Sequence, residues 1–589
     1  MHLSVPSRTA PGSGSFDSRP AAVQTWIDHL PMGEVGHSSR LLFEALTELN
    51  QQDIPARQRF RALEMLREPV RFVTDRLQTH FVSRPLPLAP RNLLVAQLSR
   101  EITHLMATGY KILVTEQLAG IGRGDGELLI TAIHRATRLL SAVLLKAYQV
   151  YEPYPDCVWL EIHSLYRFAE ENALHRTEVT DGWLKRARAS TVADAYKQIL
   201  LLALACPYRL RQDEAAHIYE ALEQWAPRLQ LRPVEETCDA LFVSDLDSDQ
   251  PPTYLVLSQA GANRHSCRAL DATPLADQLR NLAGRRGGAA GPGLGDVHTQ
   301  TLRRLMLAWG VMPKRRYTRV QGSSEVMVTI GLSSIHYFVS GEVAFNAKAE
   351  PAQGCPEHSR STGAPEPGRR PRNEPRENRA RRGGARRASA VGSSVAGETV
   401  FPGARIDTRH SARSWKMVDV SAGGYRLLWD NPEATNARVG ELLGIREPSD
   451  PDSFHWRLGV IRWLKSSGKP GIQLGVEMLS PGAVAIAARP ETGKATDTHD
   501  TRGLLLPHID GIEGQATLLL ASSPFKPGST VVAECQGKRI RVRLTKLIEN
   551  TGRFAQFQFL PLGELGQVRE RRSPGTHRPL DIKDIWSFL

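Results

Sequence analysis

The segment Lys314–Arg319 concentrates cationic side chains directly before a predicted strand at Val326–Ile330. Arg315 and Arg319 lie four residues apart, and Arg316 adjoins the first of them. Arginine stays charged at neutral pH, and its planar fork can bind a phosphate or the O6/N7 edge of guanine through two hydrogen bonds. Alone, the segment could equally be a solvated basic turn, because arginine pairs at this spacing occur by chance in an arginine-rich chain.

A second segment combines a carboxylate, a hydroxyl and two glycines, directly after a predicted strand that contains Trp415. Asp419 could accept hydrogen bonds from N–H donors, and Ser421 could place a short hydroxyl against a polar edge. Gly423 and Gly424 leave out side chains where the backbone must turn tightly and approach a ligand. The alternative for this segment alone is an ordinary Asp-Ser-Gly β-turn.

Taken together, in this order and each against a strand, the two segments resemble the two motifs of the PilZ domain family, RxxxR and [D/N]xSxxG. Gly459–Trp463 and Gly471–Glu477 are similar to the late barrel strands of that family. The resemblance covers about Pro313–Pro481 and implies an antiparallel six-stranded β-barrel that binds cyclic di-GMP in a bacterium. It also implies an allosteric receptor with an output on motility, surface attachment or exopolysaccharide.

The resemblance assigns a role to each site residue type. Cyclic di-GMP offers two phosphates and two guanine faces, so arginines could grip or stack on it while a carboxylate accepts from the guanine N1–H and N2–H groups. The predicted ligand-binding residues are Arg315, Arg316, Arg319, Asp419, Ser421, Gly423 and Gly424. Neither a cofactor, a metal nor a catalytic residue is predicted, and cyclic di-GMP is the expected ligand.

The two motifs are separated by 100 residues, much further than the family pattern has them. Residues 346–403 account for the excess if they form a long hairpin loop, since loop-closure cost grows only logarithmically with length. This stretch contains Pro, Gly, Arg, Ser and Glu with almost no large apolar side chains, which predicts disorder. A nearer arginine pair, Arg405/Arg409 or Arg409/Arg413, is disfavoured because no full strand fits between Arg413 and Asp419 except the one leading into the turn.

The remaining sequence predicts a multidomain α+β chain. Apolar residues at three- and four-residue spacing indicate helices before residue 231. Dense β-branched and aromatic residues make the whole of Val326–Phe338 strand-like, and short strands are predicted near the end of the chain, among them Thr517–Leu520 and Thr530–Cys535. The predicted units are a disordered N-terminus (1–20), an α-helical domain (21–231), a small α+β segment (232–283), a linker and helix (284–311), a PilZ-like barrel split into two parts (312–345 and 404–488) by a disordered insertion (346–403), a small C-terminal β-domain (500–565) and a tail (566–589).

The net charge of +13 raises the question of nucleic-acid binding. Ten arginines lie in the insertion, but without interleaved aromatic residues for stacking on bases, so nucleic acid is an unlikely partner. The helical region is expected to bind a protein partner. A scaffold whose barrel does not bind ligand remains the alternative class, and a basic nucleic-acid-binding protein the third.

Several features indicate a cytoplasmic protein. The six cysteines form no CxxC pair, which disfavours both a zinc ribbon and a disulfide framework. The N-terminus has no apolar segment of the kind a secretory signal needs, and no apolar run is expected to be long enough to span a membrane.

Overall fold

The computed structural model describes residues 2–12, 15–119, 125–234, 240–257, 264–284, 299–311, 317–345, 410–448, 455–467, 471–491, 499–507, 515–535 and 537–567. These residues form eleven α-helices and nineteen β-strands. The predicted insertion (346–403), most of the predicted linker, Arg315 and Arg316, and nearly all of the predicted tail lie outside the described residues. The predicted architecture is confirmed: a helical domain is followed by two six-stranded barrels.

The helical domain is built from amphipathic helices that bury their apolar faces in one large core. Its first eight helices are α1 (Pro20–Asp28), α2 (Val35–Gln51), α3 (Ala56–Gln78), α4 (Pro90–Ala119), α5 (Gly126–Gln149), α6 (Val158–Glu171), α7 (Val192–Leu204) and α8 (Gln212–Trp225). Asp125 begins α5 by accepting a hydrogen bond from the Leu128 backbone N–H at 3.3 Å.

The expectation that no apolar run is long enough to span a membrane is corrected by helix α5, whose length and composition would allow it to cross one. Its most apolar 18-residue window is 72% buried inside the domain. Such burial is typical of a helix at the centre of a packed core, and the apolar residues are accounted for by contacts with the surrounding helices.

The prediction of a disordered N-terminus is wrong for the described residues 2–12 and 15–20. Thr9 forms a bridge with Gln52, and the Ser4 backbone N–H donates to Glu161 at 2.8 Å. Arg8 pairs with Glu116. The segment is polar, so composition alone predicted disorder, but its partners lie far along the chain and could not be seen from local pattern.

Two small elements complete the helical region. Strands β1 (Val179–Thr180) and β2 (Ala189–Ser190) form a hairpin, and a four-stranded sheet contains β3 (Gln230–Pro233), β4 (Phe242–Asp245), β5 (Thr253–Tyr254) and β6 (Cys267–Asp271). Helices α9 (Thr273–Gly284) and α10 (Thr299–Gly310) pack together and against the helical core. The Trp309 indole N–H of α10 donates to the Leu201 carbonyl at 3.1 Å, which fixes α10 on α7.

The first barrel closes in the order β8-β9-β10-β13-β12-β11, with the short strand β7 added at one side. Its strands are β7 (Val320–Gln321), β8 (Glu325–Ile330), β9 (Ala412–Ser421), β10 (Gly424–Trp429), β11 (Leu442–Arg446), β12 (Arg457–Ser466) and β13 (Ile472–Ser480). Residues 326–338 were predicted as one strand, but β8 ends at Ile330 and helix α11 (Leu332–Val339) follows. Gly331, with φ of +92°, makes the break between them.

The second barrel is a closed sheet of six strands, namely β14 (Val484–Pro490), β15 (Thr501–Leu506), β16 (Thr517–Leu520), β17 (Thr530–Cys535), β18 (Lys538–Asn550) and β19 (Ala555–Gln567). The predicted end of the first barrel at residue 488 is wrong, since β14 pairs with β15 and β17 of the second barrel. Ile335 of α11 lies in an apolar cluster with residues of both barrels, among them Leu458 and Leu504. The first barrel also contacts the helical domain, because the Leu86 carbonyl accepts from the Thr435 backbone N–H at 2.6 Å.

Candidate functional site

The β9–β10 hairpin positions the acidic-serine motif. Ser421 ends β9, Ala422 and Gly423 form the turn, and Gly424 begins β10. The Ser421 hydroxyl donates to the Gly424 carbonyl at 3.3 Å, which closes the turn on itself. A Cβ atom on Gly424 would lie 1.9 Å from the Val476 carbonyl oxygen, so this position admits only glycine.

The same turn receives the arginine segment. The Tyr317 ring lies over Gly423, where an added Cβ would come within 2.7 Å of it. Strand β7 pairs Gln321 with Asp419 and so carries Arg319 to the hairpin. The fold therefore brings together two motifs that are 100 residues apart in sequence.

Asp419 lies between two guanidinium groups. Its carboxylate is 3.3 Å from Nη1 of Arg319 and 2.8 Å from Nε of Arg426. The carboxylate side chain is 8% exposed, whereas Arg319 is 47% exposed and keeps part of its guanidinium open to solvent. Asp419 is thus placed to fix the direction of Arg319. Arg426 was missed by the sequence reasoning, since nothing in its neighbours distinguishes it from any other strand residue.

The hairpin opens onto a cleft of about 1070 Å³. We call its first-barrel side the barrel wall, formed chiefly by Tyr317, Arg319, Ser421, Gly423, Trp463 and Gly475. The Trp463 indole lies directly over Gly475, where an added Cβ would fall 1.9 Å from the indole nitrogen. This wall therefore offers a cation, a hydroxyl, backbone without side chains, and two aromatic rings, which together suit a nucleotide.

The other sides of the cleft come from the rest of the molecule. The helical side is formed by the start of α8, one face of α10 and the turn at Arg209, and the second barrel adds Glu549–Gly552 at the end of β18. Arg462 of β12 joins the barrels by pairing with Glu477 and, at 3.0 Å, with Glu549. Three parts of the fold therefore meet around one space.

Charge on the helical side is partly balanced. Arg304 of α10 is 2.7 Å from Glu214 of α8. Burial acts to raise the pKa of Glu214, but the charge of Arg304 and the hydrogen bonds from the Arg211 backbone N–H and the Thr301 hydroxyl together outweigh it, so the pKa is lowered and the pair is ionised at neutral pH. This ion pair joins α10 to α8 beneath the cleft.

Four predicted site residues, Arg319, Ser421, Gly423 and Gly424, line the cleft together. Asp419 contacts Arg319 but does not itself line the cleft. Arg315 and Arg316 lie outside the described residues. The alternative arginine Arg413 is elsewhere, with its guanidinium 2.8 Å from Glu433 and over the Trp429 ring. Within the part of the chain that the structure describes, no group of three His, Cys, Asp or Glu residues could hold a metal ion.

Three known protein families match this chain, one on the helical domain, one on the first barrel and one on the second barrel. A family described as the middle PilZ domain of the cyclic-di-GMP receptor FimW matches residues 241–484, which include the hairpin, the barrel wall and α10. The chain contains a PilZ domain. The families described as the N-terminal domain and the C-terminal β-barrel domain of the same receptor match residues 21–236 and 486–562, on either side of the PilZ barrel.

One relative matches this chain along its whole length. The cyclic-di-GMP receptor FimW of Pseudomonas aeruginosa is 29% identical over 630 residues, an alignment that covers 100% of this chain and 99% of the relative. No solved structure gives a significant match to this chain. The PilZ resemblance predicted from the two motifs is therefore confirmed, and the similarity to FimW continues on both sides of the PilZ barrel.

Proposed function

We propose that this protein is a receptor for cyclic di-GMP and that the ligand binds at the β9–β10 hairpin in the cleft. The observation that carries the proposal is the convergence of Arg319 with Ser421, Gly423 and Gly424 on the barrel wall of a PilZ barrel. The full-length relative, whose name is that of a cyclic-di-GMP receptor, supports the same ligand.

Each side chain of the barrel wall has a role in the proposal. The exposed part of Arg319 binds a phosphate or a guanine edge, and Arg315 and Arg316 add further cations from the preceding segment. Ser421 contributes a hydroxyl, while Gly423 and Gly424 let the ligand approach the backbone. Asp419 holds Arg319 in place. A guanine N–H can reach the Asp419 carboxylate only if the Arg319 side chain moves away from it.

The proposed output is a change in how the helical domain and the PilZ barrel pack. Because the cleft is shared between them, a ligand that prefers one arrangement shifts the population toward it. A protein partner would read this change through the helical domain, with consequences for motility, surface attachment or exopolysaccharide. The function is binding and transmission, and no catalytic step or cofactor forms part of the proposal.

We place the protein in the cytoplasm. The four described cysteines, Cys157, Cys206, Cys267 and Cys535, are free thiols, as is usual in a reducing compartment.

Isothermal titration of the full chain with cyclic di-GMP, GMP and a DNA duplex at physiological salt tests the proposal. Saturable binding of cyclic di-GMP, much tighter than that of GMP, is the expected result. Absence of cyclic di-GMP binding would leave a scaffold with a barrel that does not bind ligand, and tight binding of the duplex alone would favour the nucleic-acid alternative.

A further inference from the structure

Helix α10 presents one continuous face to the cleft. Gln300, Arg303, Arg304, Leu307 and Ala308 line it, a spacing that places residues on one side of a helix, and Val311 directly after α10 continues the face. The opposite side of α10, which carries Leu302, Leu305 and Trp309, is buried in the helical core. The buried side therefore fixes α10 on the helical core, while the other side remains open to the cleft.

The guanidinium groups of Arg209 and Arg303, on this side of the cleft, have no partner in the described part of the chain. The side chains of Arg209 and Arg303 make no hydrogen bond and no ion pair there, whereas Arg304, next to Arg303, is paired with Glu214. Asp213 is a carboxylate on the same side, so the unpaired charge on these three residues is +1 in sum. An excess cation in the cleft that Arg319 also lines favours an anion there.

Apolar side chains on the same face are also uncovered. Leu307 is 63% exposed and Val311 is 52% exposed, and both line the cleft together with Tyr317, which is 54% exposed. Large apolar side chains gain free energy when they are covered, and the flat face of a purine base covers such surfaces well. The combination of free cations and uncovered apolar surface matches the phosphate and base of one nucleotide unit.

We propose that Arg209 and Arg303 form a second, helical-domain half of the cyclic di-GMP site, so that the ligand binds between α10 and the PilZ barrel instead of on the barrel alone. This inference rests on the proposed function. Arg319 on the barrel wall binds one phosphate. Arg209 and Arg303 on the helical side bind the other half of the ligand. The ligand then links the two domains, and a single GMP unit cannot.

Titration calorimetry on full-length variants tests this assignment. Arg303→Ala and Arg209→Ala should each weaken cyclic di-GMP binding by about tenfold or more, the loss expected for a charge-assisted hydrogen bond. Arg228→Ala is the matched control, because Arg228 is an exposed arginine of the same domain outside the cleft, and its affinity should stay within twofold of the wild type. Thermal unfolding should be unchanged in all three variants, since neither cleft arginine has a described partner to lose.

A second test compares the binding of GMP with that of cyclic di-GMP in the same variants. GMP binding, where measurable at high concentration, should respond to Arg319→Ala but much less to Arg303→Ala, because one nucleotide unit does not span the cleft. Wild-type affinity for cyclic di-GMP in the Arg209→Ala/Arg303→Ala double variant, alongside lost affinity in Arg319→Ala, would overturn the helical half of the site and leave the proposed function standing. Failure of the wild type to bind cyclic di-GMP would overturn both.

Discussion

The two barrels have the same strand number and the same antiparallel pairing, yet only the first carries the two ligand motifs. In the first barrel, the β9–β10 hairpin brings Asp419 and Ser421 against Arg319. In the second, the β18–β19 turn at Thr551–Phe554 closes through backbone and threonine hydrogen bonds. The barrel fold alone therefore does not define a ligand site, and the difference between the barrels lies in the side chains of one hairpin.

The second barrel still takes part in the cleft. Glu549 pairs with Arg462 of the first barrel, and the turn that follows it forms one side of the space. In the proposed function, the second barrel supports and encloses the cleft, while the first barrel supplies groups that bind the anionic ligand.

Glycine substitutions should show the largest contrast. Gly424→Ala places a Cβ against the Val476 carbonyl, so we expect about 3 kcal/mol of destabilisation and loss of ligand binding, as for a severe steric overlap in a packed sheet. Gly528→Ala in the second barrel meets no atom within 4 Å and suffers only from its φ of +89°, about 1–2 kcal/mol. Chemical denaturation of both variants checks this. Equal destabilisation would mean that the hairpin has room that the structure does not show.

Arginine substitutions should affect binding more than stability. Arg319→Ala should weaken cyclic di-GMP binding by about 1.5–3 kcal/mol, and Arg315→Ala by a similar amount, because each removes a charge-assisted hydrogen bond. Arg413→Ala serves as the control, since Arg413 pairs with Glu433 away from the cleft. Titration calorimetry would contradict the choice of arginines if Arg319→Ala and Arg315→Ala bound normally and Arg413→Ala did not.

Loss of the connection between the barrels should have a smaller effect. Glu549→Gln removes the charge that pairs with Arg462 while keeping the shape, and Arg462 is still paired with Glu477. Because Arg462 is partly exposed, we expect a loss of stability of about 1 kcal/mol or less and ligand affinity within a few-fold of the wild type. A complete loss of binding in this variant would show that the second barrel recognises the ligand directly.

The smallest effect is expected for removal of residues 350–397. This stretch has almost no large apolar side chains to contribute to a core, so its deletion should leave folding and affinity nearly unchanged. Limited proteolysis of the intact chain should cut there first, at its many arginines. An unfolded first barrel after the deletion would contradict the interpretation of residues 346–403 as an insertion in a hairpin loop.

The sequence was informative where local chemistry determines structure. The predicted strands Thr517–Leu520 and Thr530–Cys535 have the same bounds in the structure, and the Asp-Ser-Gly motif forms a tight hairpin turn because glycine is required at residue 424. Helix α11 was missed because its aromatic and branched residues suit a strand equally well, and tertiary packing between the barrels decides in favour of the helix.

Features that depend on distant partners could not be predicted. The polar N-terminal segment is ordered by contacts with Gln52, Glu116 and Glu161, which no local pattern reveals. Arg426 reaches Asp419 only through the pairing of β9 with β10, and Arg209 and Arg303 line the cleft only through the packing of the helical domain against the barrel. In each case the missing information was which surfaces face each other.

Hydrogen exchange on the full chain, with and without saturating cyclic di-GMP, tests the central claim most directly. A ligand in the shared cleft should increase protection around residues 317–321 and 419–425 of the first barrel and also in α8, near Asp213–Trp225, and in α10. The second barrel's strands away from Glu549 should be unaffected. Protection confined to the first barrel would contradict coupling to the helical domain, and unchanged exchange in the β9–β10 hairpin would contradict the site itself.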